Sequence, residues 1–219
     1  MAFYPLLNIR RGSGRNYKQQ EADNPHLSCI ALTLGHYPID HNWLKVGAVT
    51  KLGHAPIYIG LGGNLRHPQY GCPKATLEAA LRDLERRGGR LSRLSPWYRS
   101  APVPASDQPW FVNAVAEVST DLCADALLAQ MHAVEETFGR VRSVTNAARL
   151  IDLDLLDFRG EIAAGGPGKA TLPHPRMAER AFVLRPFADL APDWRHPVTG
   201  TPIAVLVAAL PATQLIERL

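Results

Sequence analysis

Three cysteines are all that this 219-residue chain contains, and they stand far apart. Cys29, Cys72 and Cys123 form no C-x-x-C pair, and so odd and scattered a set argues against a disulfide framework or a thiolate zinc site. A reducing cytoplasm is the setting they fit. No stretch of about 18 uncharged apolar residues occurs, which argues against a membrane-spanning helix. The N-terminus does not read as a secretory signal either, because "CIALTLG" is short and no small-residue cleavage site follows it. The Gly-Lys-Ser/Thr loop of P-loop enzymes is missing, as is a full G-x-G-x-x-G. The fragment "GLGGN" (60–64) reads first as a tight turn. Excess charge is also scarce in most of the chain. Residues 1–55 hold six Lys/Arg and three Asp/Glu and carry +3 of the net +4, leaving 56–219 at +1. That near-neutral body argues against general nucleic-acid binding.

What is present is ordinary for a globular domain: 46% hydrophobic and 20% charged residues. Residues 1–55 stand apart. "RRGSGRNYKQQEADNP" is polar and aperiodic, as a disordered arm would be, and the segment after it has no clean helix or strand pattern. We expect an N-terminal extension over 1–55, either poorly ordered or upstream of the true start, with Val46 a natural alternative start. Residues 56–219 form the working domain. "IYIGLG" (57–62) reads as a strand leading into a turn. Leu77, Ala80, Leu81 and Leu84 fall at helical spacing within 74–89. A strand over 90–100 leads to the Pro-rich loop 101–109, and "WFVNAVAEVST" (110–120) alternates as a further strand. Leu127, Leu128, Met131, Val134 and Phe138 line one face of a helix that stops at Gly139. After the loop "RVRSVTNAA" comes the strand "RLIDLDLLDF" (149–158), with "RGEI" as a hairpin turn. The order β-α-β-β-α-β is the ferredoxin-like pattern. The expected fold is therefore α+β: an antiparallel sheet, helices on one face, and a Pro-rich tail of short helices across one end.

The chemistry centres on that last strand. Strand side chains repeat every two residues, so Asp152 and Asp154 share a face about 7 Å apart, while Ile151, Leu153 and Leu155 face the helices. Like charges so placed repel, and a bound hard cation removes the repulsion; two Mg²⁺ ions would suit the pair. By itself the motif is equally well a solvated face whose charges do nothing. Its surroundings favour the ligand reading, since Arg140, Arg142, Arg149, His174, Arg176 and Arg180 flank the carboxylates. Arginine forks match phosphate oxygens, and magnesium commonly binds through one or two carboxylates together with substrate phosphates. A second site is legible in "SPWYRSAPVPASDQPWFVNA". Phe111 and Phe182 can stack on a flat heterocycle while Asn113 pairs with its polar edge, although spacing alone favours both phenylalanines being simply core.

Six segments, "GLGGNL", "SPWYRSAP", "DQPWFVNAV", "GRVR", "RLIDLDLLDF" and "LPHPRMAERAFVLRPFADLAP", resemble in content and order the 6-hydroxymethyl-7,8-dihydropterin pyrophosphokinases of folate biosynthesis. The resemblance runs from about residue 57 to the C-terminus. It implies a ferredoxin-like enzyme that transfers diphosphate from ATP to the pterin hydroxymethyl group and releases AMP. Asp152 and Asp154 match its magnesium ligands. Glu135, Arg140, Arg149, His174 and Arg180 match residues toward ATP, with Arg140, Arg149, Asp152 and Asp154 as the catalytic set. Ser100, Val103, Phe111, Asn113 and Phe182 match the pterin pocket, which Asp152 also borders. A monomer is expected, with small-molecule substrates and neither nucleic acid nor membrane as partner. The chain departs from the family at "SVTNAAR" (143–149), where many members carry a Trp-Gly-Pro-Arg type sequence; Arg149 stays in register, but the Trp and Pro are lost from the loop. "GLGGN" also replaces the commoner Gly-Ser-Asn. Two rival readings fit the residues less well. An RNA-binding ferredoxin-like domain should expose aromatic residues where this strand shows aspartates. A catalytically silent binding module has no need of arginines gathered round a carboxylate face.

Overall fold

The computed structural model describes residues 55–140 and 147–219, all within the compact unit Ala48–Leu219. The expectations for residues 1–54, for Arg142 and for positions 143–146 lie outside the described residues. The elements are β1 (Ile57–Gly63), α1 (Pro73–Arg86), β2 (Arg90–Leu94), β3 (Tyr98–Ser100), β4 (Phe111–Ser119), α2 (Ala124–Thr137) and β5 (Asp152–Phe158). There follow a hairpin of β6 (Ala163–Gly166) and β7 (Lys169–Leu172), a 3-10 turn at Met177–Glu179, α3 (Ala181–Leu190), α4 (Ile203–Ala208) and β8 (Ile216–Arg218).

The strands run in the order β5-β1-β4-β3-β8, with β2 also paired to β4, and each pairing is antiparallel. The expected α+β, ferredoxin-like sheet is there, but the strand expected over 90–100 is two. Pro96 cannot donate to a ladder, and the chain breaks beside it. Ser95 bridges the break: its backbone N–H donates to the Val115 carbonyl at 2.9 Å, and its hydroxyl accepts from the Val115 N–H at 2.9 Å.

The two periodic helices behave as their spacing predicts. Leu77, Ala80, Leu81 and Leu84 of α1 and Leu127, Met131 and Val134 of α2 are buried against Ile57, Ile59, Leu61, Ala114, Ala116, Leu153 and Leu155. Pro73 begins α1, where a missing N–H costs nothing. Gly88, at φ 100, follows its end.

Three expectations need correction. The opposite sheet face is not bare of helices, and the tail does not merely cross its end. α3 lies on that face, where Val183, Leu184, Phe187 and Leu190 pack on Tyr58, Val115 and Leu156 in a second core. The strand beneath it carries a β-bulge. Against β5, Tyr58 pairs with Asp157 but Ile59 pairs with Leu155, which leaves Leu156 as the extra residue. Ordinary alternation puts Leu155 in the first core and Leu156 in the second, and past the bulge Phe158 is back in the first. Next, the turn at Arg159–Gly160 exists, with φ of 60 and 73, but the strand after it pairs with β7 rather than returning to β5. Finally, Gly60, Gly62 and Gly63 are not a turn. They lie within β1.

Candidate active site

α3 covers only part of its sheet face. Beyond it a cleft of about 540 Å³ opens, floored by Gly60, Gly62, Asp152 and Asp154. Register sets Gly60 beside Asp154 and Gly62 beside Asp152. The glycines therefore keep the floor clear where any side chain would stand over it. A Cβ on Gly62 would meet the Asn113 Oδ1 at 3.4 Å and the Asp152 Cβ at 3.9 Å. At Gly63 a Cβ would come within 2.6 Å of the Leu150 carbonyl oxygen, so the close approach of the two chains requires glycine there.

The two aspartates are held differently. Asp152 Oδ1 lies 2.7 Å from Arg140 Nη1, and its Oδ2 accepts from Arg149 Nη1 at 2.7 Å. Burial and the neighbouring Asp154 charge push the Asp152 carboxyl up, against the opposing pull of both arginines. Asp154 is loosely flanked, with His174 Nε2 at 3.8 Å and Arg180 Nη1 at 3.7 Å, beyond hydrogen-bond range. His174 Nδ1 accepts the Arg176 N–H at 3.2 Å, which assigns the ring proton to Nε2, facing Asp154. Burial holds this imidazole below its ordinary pKa.

Glu135 stands behind these residues. It does not line the cleft but is 1% exposed, on α2 behind β5. Its Oε1 accepts the Leu153 N–H at 2.7 Å and pairs with Arg140. Burial pushes its carboxyl up to about 7, opposed by the Leu153 hydrogen bond and the Arg140 charge. Arg140 thus bridges Glu135 and Asp152.

The other wall is apolar. Ser100, Val103, Phe111, Asn113 and Phe182 all reach the cleft, with Ala101, Pro102 and Pro104 between them. Neither phenylalanine is a fully buried core residue. Phe182 rests one side on the second core and carries the Arg180 guanidinium 5.4 Å over its ring. Asn113, 3% exposed, donates from Nδ2 to the Ser100 hydroxyl at 2.9 Å.

All the predicted site residues except Glu135 and His174 line one cleft, and those two contact residues that do. Sequence reasoning missed Glu179 and Asn64, and counted Arg176 only among the flanking charges. Glu179 and Arg176 line the cleft from the "PHPRMAER" stretch, so proximity to His174 was the available signal. Asn64 is 4% exposed. Its Oδ1 accepts the Arg149 N–H at 2.8 Å, and its Nδ2 donates to the Pro109 carbonyl at 3.0 Å.

A ferredoxin-like sheet whose open end gathers carboxylates, arginines and an apolar pocket defines the class: an α+β protein built to hold an anionic ligand beside a flat apolar one. The particular family follows from comparison. Residues 58–192 match the model of the 7,8-dihydro-6-hydroxymethylpterin-pyrophosphokinases, and the chain belongs to that family. The 2-amino-4-hydroxy-6-hydroxymethyldihydropteridine pyrophosphokinase of Pseudomonas aeruginosa is 43% identical over 164 residues, covering 74% of this chain and 96% of that one. Its counterpart in Methylorubrum extorquens is 38% identical over 137 residues, 62% of this chain and 82% of that one. The folic acid synthesis protein fol1 of Pneumocystis carinii is 34% identical over 164 residues, and the chain spans only 21% of that larger protein. Among solved structures, wild-type Plasmodium falciparum HPPK-DHPS aligns with a TM-score of 0.55 at 14% identity, over 70% of this chain and 42% of that one. That likeness speaks to the fold alone.

Proposed function

We propose that the cleft transfers the diphosphate of ATP to the hydroxymethyl group of 6-hydroxymethyl-7,8-dihydropterin, releasing AMP. The observation that carries this reading is the junction, in one cleft, of an Asp-x-Asp pair with Arg140, Arg149 and Arg180 on one side and Phe111, Asn113 and Phe182 on the other. The pterin lies against the phenylalanines, its polar edge on Asn113, with the Ser100–Val103 loop lining the pocket. Its hydroxyl attacks the β-phosphorus in line, and AMP leaves. No covalent nucleophile is needed, so positioning and electrostatics do the work.

The donor set fits Mg²⁺, as one or two ions: two hard carboxylates on one strand face, over a glycine floor with room for phosphate oxygens to complete the coordination. Asp152 and Asp154 would hold the metal, which when bound neutralises charge on the phosphates. Arg140 and Arg149, both resting on Asp152, are placed to turn to the phosphate oxygens as substrate enters. His174 offers its Nε2–H and Arg180 its guanidinium to the same groups, while Glu135 acts through Arg140. No helix of the described residues is long and apolar enough to cross a membrane. A monomer acting in the cytoplasm on these two small molecules is the reading we adopt, with catalysis residing in 56–219.

The test is AMP formation from ATP and Mg²⁺, with and without the pterin, for the unaltered chain and for Asp154→Ala. Pterin-dependent AMP release that falls by about a thousandfold in the variant is expected, the scale of losing one electrostatic contact made in the transition state. A chain that binds both substrates without releasing AMP would be a silent binding module, its loop 143–148 the first place to look.

A further inference from the structure

The family match ends at residue 192, yet the chain beyond it reaches both sides of the apolar pocket. β8 pairs with β3 and sets Ile216 opposite Ser100. The Leu215 carbonyl accepts the Ala101 N–H at 3.0 Å. One residue earlier, Gln214 Oε1 accepts the Ala181 N–H at 2.8 Å, and its Nε2 donates to the Glu179 carbonyl at 2.8 Å. Ala181 is the first residue of α3, and the residue before it, Arg180, makes no side-chain cap. A helix start left so would have an orphan N–H. Gln214 supplies the missing acceptor from 33 residues away.

Two consecutive residues therefore grip two separate walls. Leu215 holds the segment Ala101–Pro104, and Gln214 holds Glu179–Phe182; residues of both segments line the cleft. The distance between them sets how closely the Phe182 ring approaches the Pro-rich loop. A slot for a flat heterocycle gains affinity when its walls are fixed beforehand, because the ordering cost is not met at binding.

We propose that the segment Gln214–Arg218 is a brace that fixes the width of the aromatic pocket, with Gln214 the positioning residue that holds Phe182. The proposal rests on the reading of that pocket as the pterin site. It assigns to the stretch beyond the family match a part in pterin affinity; of the residues on the phosphate side only Arg180 lies in the gripped segment, while Arg140 and Arg149 are held by Glu135 and Asn64.

Calorimetric titration of the full chain with the pterin, and separately with a non-hydrolysable ATP analogue and Mg²⁺, tests this in the unaltered chain, Gln214→Leu and Gln214→Glu. The leucine variant loses both bonds and should bind the pterin about tenfold more weakly, the scale of one lost net hydrogen bond. Its ATP-analogue affinity should fall by clearly less, because Arg180 is the only phosphate-side residue in the gripped segment. The glutamate variant keeps an acceptor for the Ala181 N–H and should recover most of the pterin affinity. Should the leucine variant not fold, Gln214→Asn, one methylene short of both partners, carries the same comparison. Unchanged pterin affinity, or an equal loss for both ligands, overturns the brace. An unaltered chain that binds ATP analogue but no pterin sinks the functional reading and the brace together, whereas normal binding with an indifferent Gln214 sinks the brace alone.

Discussion

Asn64 illustrates how much of the cleft depends on a side chain that need not touch substrate. Its amide accepts from Arg149 and donates to the Pro109 carbonyl, so it ties the arginine that grips Asp152 to the loop leading into Phe111. Its own backbone N–H adds a bond to the Arg149 carbonyl at 3.0 Å. In Asn64→Ala the Arg149 N–H and the Pro109 carbonyl lose these partners, and unmet polar groups in part-buried surroundings cost about 1–3 kcal/mol each. A urea midpoint lowered to match, with weaker binding of both ligands, is the expected outcome. A shift below about 0.5 kcal/mol, the range of an inert surface site, would show that water replaces the amide without loss. At this scale the sequence was legible where a residue type is unusual for its place. Two aspartates on a strand invite a question; an asparagine after three strand glycines does not. Its importance arises only because Leu150 approaches Gly63 closely enough to bring Arg149 within reach.

At the scale of elements, α3 decides where the cleft lies. It covers Tyr58, Val115 and Leu156 and stops short of Asp152 and Asp154, leaving them at the edge of the second core. Phe187, fully buried, stands at its centre, with ring centroids 4.6 Å from Tyr58 and 4.8 Å from Trp194. Phe187→Ala should therefore cost about 3–5 kcal/mol in denaturant unfolding, as for other core aromatics. A helix lying only across the end of the sheet would lose under about 1 kcal/mol, which is the outcome that would restore the sequence-based expectation. The Pro-rich tail concealed this element because Pro186 sits inside the helix, where a proline normally argues for its end. The bulge was concealed as well. "DLDLLDF" breaks strict alternation at Leu155-Leu156, and that break is the trace of two cores meeting on one strand. Past the bulge, Asp157 accepts from Trp194 Nε1 at 2.6 Å and from the Gly160 N–H at 2.8 Å, so its burial is compensated.

Across the whole molecule, sheet and second-face helix are joined by polar ties as well as by apolar packing. Tyr98 of β3 donates its hydroxyl to Asp189 Oδ2 of α3 at 2.7 Å. Burial, and then the bond to Asp189, push the Tyr98 pKa up from 10.0 to about 12. The native state thus holds this proton more tightly than the unfolded chain does. The resulting stability is fully present below pH 10 and is lost as pH rises through about 12. Tyr58, raised in the same direction by burial, adds to the slope. Stability measured by urea between pH 9 and 12 should fall with pH, and Tyr98→Phe should flatten that fall without abolishing it. An unaltered slope in the phenylalanine variant would mean that Tyr98 gains no protection from α3.

Amino-acid order by itself determined the alternation and periodicity of the chain, hence the βαββαβ sheet, the helices α1 and α2, and the common face of Asp152 and Asp154. Those follow from local geometry, in which periods of 2 and 3.6 residues map directly onto faces. Only the tertiary structure decided that α3 roofs part of the second face, that strand glycines floor the cleft, that Glu135 stands behind the strand of Asp152 and Asp154, and that Gln214 caps a helix 33 residues before it. Each of these is a contact between segments with no periodic relation. Their meeting is set by a bulge, a close backbone approach and the path of the tail, quantities that exist only once the chain has folded.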